Sequence, residues 1–198
     1  MELRDYQVKC AQKGVYILKD KGIVYLAMEV RCGKTATSME ICKLYGAKKV
    51  LFATKKKAIS SIKKDYDSFG YSDYFEITVI NDESLHKLED KFDLVIHDEH
   101  HRFGAYPKPG KSTKLFKEKY GNLPMIFLSG TPNPEGKLQL FHQFWVSNKH
   151  PFSEGNFYKW HTNLGFIKYK FDLGYGLITN YDSSINTMYK YYGILKRK

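Results

Sequence analysis

Leu94-Val95-Ile96-His97-Asp98-Glu99-His100-His101 is the stretch on which the fold turns. Its apolar start reads as a buried strand, and the strand stops abruptly in two adjacent carboxylates. Buried strands rarely finish this way, because each charge needs a partner or water. Upstream, Val24-Tyr25-Leu26-Ala27 has the same apolar character and is followed, after a short loop, by Gly33-Lys34-Thr35. If the strands belong to one parallel sheet, as the alternation of strands and helices along the chain implies, both polar ends lie at its carboxyl edge, where ligands bind.

The rest of the first two-thirds keeps that rhythm. Arg4 to Lys19 places Val8, Ala11, Val15 and Leu18 at helical spacing, and Ile23–Met28 is a short apolar strand. A helix is expected over Thr35–Leu44, a strand over Lys49–Ala53, and a helix over Lys57–Phe69 ending at Gly70. Phe75–Ile80, Phe92–Ile96 and Met125–Leu128 read as strands, with a short helix at Glu83–Leu88. The expected fold is α/β: a three-layer parallel sheet with helices on both faces. Residues 1–150 form that domain. From about Pro151 the rhythm stops and roughly a quarter of the residues are aromatic, so 151–198 reads as an extension packed on the domain or leading out of it.

The chain has 198 residues, 42% of them hydrophobic, enough for a sizeable core. A formal net charge of +11 argues for an anionic partner, with nucleic acid first and a membrane surface or plain solubility as blander readings. Cys10, Cys32 and Cys42 have no metal-like spacing and suit a reducing compartment. The charged N-terminus does not read as a signal peptide, and no apolar run approaches membrane-spanning length. A cytoplasmic protein is expected.

Gly33-Lys34-Thr35 opens a helix directly after a strand, which is what a phosphate group needs. Backbone N–H groups at a helix N-terminus, a lysine for the terminal phosphates and a hydroxyl for Mg²⁺ converge there. The full pattern would put glycine at position 28, where this chain has Met28. A second triplet, Gly110-Lys111-Ser112, follows Pro107 and Pro109 rather than a strand and is read as a loop. His97 and His101 stand four apart, as in zinc-protease helices, but such spacing aligns ligands only on a helix and Asp93–Ile96 is strand-like. The favoured reading gives Asp98 the magnesium and Glu99 the attacking water. Ser129-Gly130-Thr131-Pro132, after the Met125–Leu128 strand, is either a tight turn or a coupling element.

Taken in order, Leu3-Arg4-Asp5-Tyr6-Gln7, Arg31-Cys32-Gly33-Lys34-Thr35, Asp98-Glu99-His100-His101 and Leu128-Ser129-Gly130-Thr131-Pro132 resemble the motifs of superfamily 2 helicases. Phe141-His142-Gln143-Phe144-Trp145 and Asn156-Phe157-Tyr158-Lys159-Trp160 are most similar to the Swi/Snf-like, bacteriophage-type branch of DExH proteins. The resemblance implies an N-terminal RecA-like P-loop domain with ATP and Mg²⁺ as its ligands, in the host cytoplasm if phage-encoded. It implies that Gln7 reads the adenine edge with Arg4 nearby, and that Arg31, Cys32 and Gly33 form the phosphate loop. Lys34 would hold the β- and γ-phosphates, Thr35 and Asp98 the magnesium, and Glu99 would act on water. His100 would relay between the ATP site and the coupling residues Ser129 and Thr131.

Lys55-Lys56-Lys57 sits where the family's first nucleic-acid contact lies; with Thr54 it is either a phosphate contact or a solvated helix start. Asn81-Asp82-Glu83-Ser84 matches a second contact element. The implied partners are nucleic acid, DNA rather than RNA, and a second RecA-like domain in cis or in trans that supplies arginine fingers, with no membrane. Only Arg102 and Arg197 follow the phosphate loop. The expectation is half of an ATP-driven motor. Its rival is a nucleic-acid-binding module with a vestigial nucleotide site, and a small-molecule kinase is disfavoured by the want of a lid-like arginine cluster.

Overall fold

The computed structural model describes residues 1–164 with their side chains and the backbone of 167–172, 177–182 and 194–196. The chain runs α1 (Asp5–Lys21), β1 (Ile23–Ala27), α2 (Lys34–Tyr45), β2 (Lys49–Thr54), α3 (Ile59–Ser68), β3 (Glu76–Asn81), β4 (Leu94–His97), α4 (Lys111–Tyr120), β5 (Met125–Ser129), α5 (Leu140–Trp145) and α6 (Phe157–Asn163). Three further strands follow: β6 (Ile167–Asp172), β7 (Leu177–Asp182) and β8 (Ile194–Lys196). Short 3-10 turns occupy Lys56–Ala58, Asp82–Lys87 and His100–Phe103.

Six strands make one sheet in the order β3-β2-β4-β5-β1-β8, and every pair in it is parallel. β6 and β7 form a separate antiparallel pair. The central strands are apolar throughout because both faces of the sheet are covered. Along β1, Ile23, Tyr25 and Ala27 enter one core while Val24, Leu26 and Met28 enter the other. The first core lies under α4, α5 and α6 and is built on Phe116, Phe127, Phe141, Phe144 and Trp160. The second lies under α1, α2 and α3 around Leu18, Met39, Ile41, Phe52 and Ile62. This is the three-layer α/β architecture expected from the sequence.

Close approach of α1 to α2 depends on Gly14. A Cβ there would stand 2.5 Å from Ile41 Cδ1. At the opposite end of the strands from the motifs, the Asp93 carboxylate accepts from the backbone N–H groups of Lys48 and Lys49, at 2.8 and 2.9 Å, and pins β2 beside β4.

Two local expectations need correction. Gly110-Lys111-Ser112 opens a helix after all, with Gly110 as the N-cap of α4. Thr113, Phe116 and Tyr120 are its buried stripe, a spacing that the adjacent prolines obscured. The segment feeding it is still a loop and not a strand, which separates it from Gly33-Lys34-Thr35. In addition, α3 starts only at Ile59, after a 3-10 turn. Past residue 150, Phe152, Phe157 and Trp160 are buried in the same core as α5. The expectation for the remainder of 151–198 lies largely outside the described residues.

His142 of α5 makes this packing sensitive to acid. It is 3% exposed, donates to the Ala105 carbonyl, and burial holds its pKa down to about 4. The unfolded chain takes up that proton near pH 6.5, the folded chain only near pH 4. Stability is therefore complete above pH 6.5 and falls as pH drops towards 4, by about 3 kcal/mol for this one group. Burial also lowers the pKa of His100, with the same sign. Thermal melts across this range are expected to show a steep loss in the wild type and a shallower one in His142→Gln.

Candidate active site at the carboxyl edge of the sheet

Parallel pairing brings every motif to one edge. The registers Ala27↔Ser129, Ala53↔His97, His97↔Phe127 and Thr54↔Asn81 align the carboxyl ends of β1, β5, β4, β2 and β3. β5 lies between β1, which leads into the Arg31-Cys32-Gly33-Lys34-Thr35 loop, and β4, which carries the acidic turn.

The loop after β1 is tightly bent. Arg31, exposed at its tip, has φ 65°, and Gly33 has φ 71° as the N-cap of α2. The left-handed φ favours glycine, and a Cβ on Gly33, 2.0 Å from Gln7 Nε2, would also displace the Gln7 amide. Lys34 turns back over the loop and donates to the carbonyls of Met28 and Glu29, each at 3.0 Å. Thr35 follows in the first turn of α2. The N-terminus of α1 closes the loop from outside: Tyr6 Oη donates to the Cys32 carbonyl at 3.0 Å and Gln7 Nε2 to the same oxygen at 3.4 Å. Gln7 Oε1 accepts from the Arg4 backbone N–H at 2.8 Å. Arg4, Gln7, Arg31, Cys32, Gly33, Lys34 and Thr35 thus form one contiguous wall.

The acidic turn faces it from β4. Asp98 Oδ2 accepts from Thr54 Oγ1 at 2.9 Å and Oδ1 from the Glu99 N–H at 2.9 Å. Glu99 has φ 50°, a left-handed conformation in which a residue with a side chain is strained. That bend sends the next two residues to opposite sides. His100 turns inward and is fully buried, its ring stacked on Phe127 with centroids 3.6 Å apart. Its Nε2 donates to the Gln143 carbonyl at 2.7 Å, so Nδ1 accepts from His97 Nδ1 at 2.8 Å. Burial, then the His97 ring, drives the His100 pKa well below its ordinary value. His101 turns outward. Its Nδ1 lies 2.9 Å from Ser129 Oγ and 3.3 Å from Glu99 Oε2, and Ser129 Oγ accepts from the Thr131 N–H at 3.1 Å.

The contact with Ser129 expected of His100 is made instead by His101. Both side chains follow the acid pair, and only the bend at Glu99 decides which of them reaches Ser129. Thr54 also differs from expectation. It is fully buried against Asp98 and offers nucleic acid no side chain. Lys55 and Lys56 are exposed, and Lys55 Nζ stands 3.9 Å from Glu99 Oε1. Asn81 Nδ2 donates to Glu83 at 3.0 Å. His97 stacks on Phe103 within the core whereas His101 reaches Ser129, and among the described residues no group of His, Cys, Asp or Glu is arranged to hold a metal by itself.

Three contributors were given no role of their own in the sequence reading. Gln143 is fully buried, accepts from Tyr25 Oη at 2.6 Å and donates to the carbonyls of Pro132 and Gln139 at 2.7 and 3.0 Å, tying the Ser-Gly-Thr-Pro turn to α5 and β1. Asp82 Oδ2 accepts from Arg102 Nη1 at 2.5 Å, fixing the turn after β3 to the acidic turn, while Asp82 Oδ1 lies 3.3 Å from His97 Nε2 without a hydrogen bond. Lys119 of α4 donates to the carbonyls of Leu85, His86 and Leu88 and fastens the same turn from below. The only sequence signal for Gln143 and Asp82 was a polar residue inside an otherwise recognisable motif.

No family model matches this sequence, and no curated protein matches it. Among solved structures the chain is similar to a nuclease-deletion mutant of the Type ISP restriction-modification enzyme LlaGI in complex with a DNA substrate mimic. The match has a TM-score of 0.45 and 15% identity, covers 67% of this chain, and spans 18% of the other. Among the described residues no helix is long and apolar enough to cross a membrane.

Proposed function

We propose that this chain is the first RecA-like domain of a superfamily 2, DExH-type helicase or translocase, which hydrolyses ATP to ADP and phosphate and, with a second such domain, moves on DNA. The observation that carries this reading is the convergence at one sheet edge. Lys34 caps a glycine-bent loop at a helix N-terminus, opposite an acidic turn already joined through His101 to Ser129 and Thr131.

The residues fit a magnesium nucleotide. At Gly33 the backbone is approached closely by the Gln7 amide, and among the described residues the Lys34 ammonium is held by loop carbonyls, which triphosphate oxygens can replace. Thr35 and Asp98 supply the hydroxyl and carboxylate that would hold Mg²⁺, which when bound neutralises charge on the phosphate oxygens. The Thr54 hydroxyl and the Glu99 N–H orient the Asp98 carboxylate. Glu99 accepts the proton of the attacking water, and His101 links that carboxylate to Ser129. Gln7, whose 3.4 Å bond to Cys32 is long, exchanges that partner for the adenine edge.

Turnover by this chain alone is expected to be slow, because arginine fingers, worth ~10³–10⁵ in rate, would come from the second domain. A nucleic-acid-binding module with a vestigial site is favoured by one feature, Met28 in place of the loop's first glycine. Titration of a fluorescent ATP analogue separates the two. Lys34→Ala is expected to weaken binding by roughly 10–100-fold, the worth of a charged hydrogen bond. Equal affinity in both proteins would establish the vestigial reading.

A further inference from the structure

Thr54 and Lys55, consecutive residues at the end of β2, touch Asp98 and Glu99, consecutive residues at the end of β4. The first contact is a 2.9 Å hydrogen bond from a buried hydroxyl, whereas the second is open. Lys55 and Glu99 have side-chain exposures of 54% and 39%, and their charged atoms are 3.9 Å apart. Glu99 Oε2 faces His101, so each oxygen of the carboxylate has a partner. An exposed ion pair of this length is worth only about 0–1 kcal/mol, weak enough for another anion to take the lysine. Lys55 leads into an exposed run with Lys56 and Lys57 beside it, the kind of surface that collects backbone phosphate.

We infer that Lys55 is a positioning residue through which nucleic-acid phosphate controls Glu99: without nucleic acid it holds the Glu99 carboxylate, and a backbone phosphate draws it away and frees that carboxylate for water. The inference rests on the ATPase reading above and names the regulation of the same site. Thr54 keeps Asp98 in place during the exchange, so ligand binding is maintained while only the basic group is released. Because the phosphate and Glu99 compete for one ammonium, the coupling is reciprocal, and loss of the Glu99 charge strengthens nucleic-acid binding by the worth of the pair.

The test is a double-mutant cycle on the full 198-residue chain. Affinity for fluorescein-labelled DNA, as single strand and as duplex, is read by anisotropy at low salt in wild type, Glu99→Gln, Lys55→Ala and the double variant. Glu99→Gln is expected to tighten binding by about two- to fivefold in the wild-type background and to have no effect once Lys55 is gone. Equal tightening in both backgrounds would reduce the effect to a general field and overturn the inference. ATP turnover gives an independent sign: Lys55→Ala is expected to raise the DNA-free rate and to abolish stimulation by DNA. A residue that merely contacts phosphate would leave the DNA-free rate unchanged, and that result also overturns the inference. Failure of the wild type to bind either the ATP analogue or DNA would remove the underlying reading. Binding of both with no coupling would remove this inference alone.

Discussion

Glu99→Gln is expected to slow ATP hydrolysis by about 10²–10⁴-fold while nucleotide affinity stays near the wild-type value. General-base assistance is worth that much, and glutamine keeps the shape of the side chain while losing the ability to accept a proton. The phosphate loop is left intact, because Lys34 and Gly33 make no contact with Glu99 in the hydrogen-bond network. Single-turnover hydrolysis of labelled ATP, with protein in excess, reads slow rates and checks both halves of the expectation. A variant that hydrolyses as fast as the wild type would take the water-activating role away from Glu99. A variant that fails to bind nucleotide would show that the turn at φ 50° needs the carboxylate for its shape.

Phe127→Ala is expected to cost about 3–5 kcal/mol of stability, roughly 10 °C or more in Tm for a chain of this size. Phe127 is fully buried at the centre of β5. One face lies flat on His100, and its edges meet Tyr25 and Phe144 at centroid separations of 5.9 and 6.2 Å. Removing the ring opens a cavity directly beneath the acidic turn, so the effect reaches the site as well as the core. Phe127→Leu keeps most of the volume and is expected to cost clearly less. Thermal or denaturant unfolding of the two variants checks the ordering. A small loss in Phe127→Ala would mean that α5 collapses onto the sheet and fills the space.

The sheet was legible because two-sided burial leaves an unbroken apolar run, as in Leu94-Val95-Ile96 and Met125–Leu128, and because polar motifs sit only at strand ends. Gly33, Lys34, Asp98 and Glu99 were legible for the same reason: each is a polar or flexible residue where the pattern demands apolar ones. The choice between His100 and His101 was not, since it depends on the left-handed bend at Glu99, which no glycine announces. Thr54 looked like a surface hydroxyl beside three lysines, but the alternation of β2 turns it inward towards Asp98. Gln143 and Asp82 were hidden because their partners, Tyr25 and Arg102, are 118 and 20 residues away in sequence, distances that only the folded topology closes.

The position of β5 between β1 and β4 has a metrical consequence. Adjacent strands lie about 4.8 Å apart, so the strand that launches the Gly33-Lys34 loop and the strand that ends in the acid pair are separated by about 9.6 Å. That gap is written in main-chain hydrogen bonds and cannot be narrowed or widened by any side-chain substitution. Adjustment of this cleft is left to the turns that overhang it, which are the loop before α2, the bend at Glu99 and the Ser-Gly-Thr-Pro turn. Gly130 of that last turn already stands where a Cβ would come within 3.4 Å of Val30. The frame fixes the span, and only its rims are free to evolve.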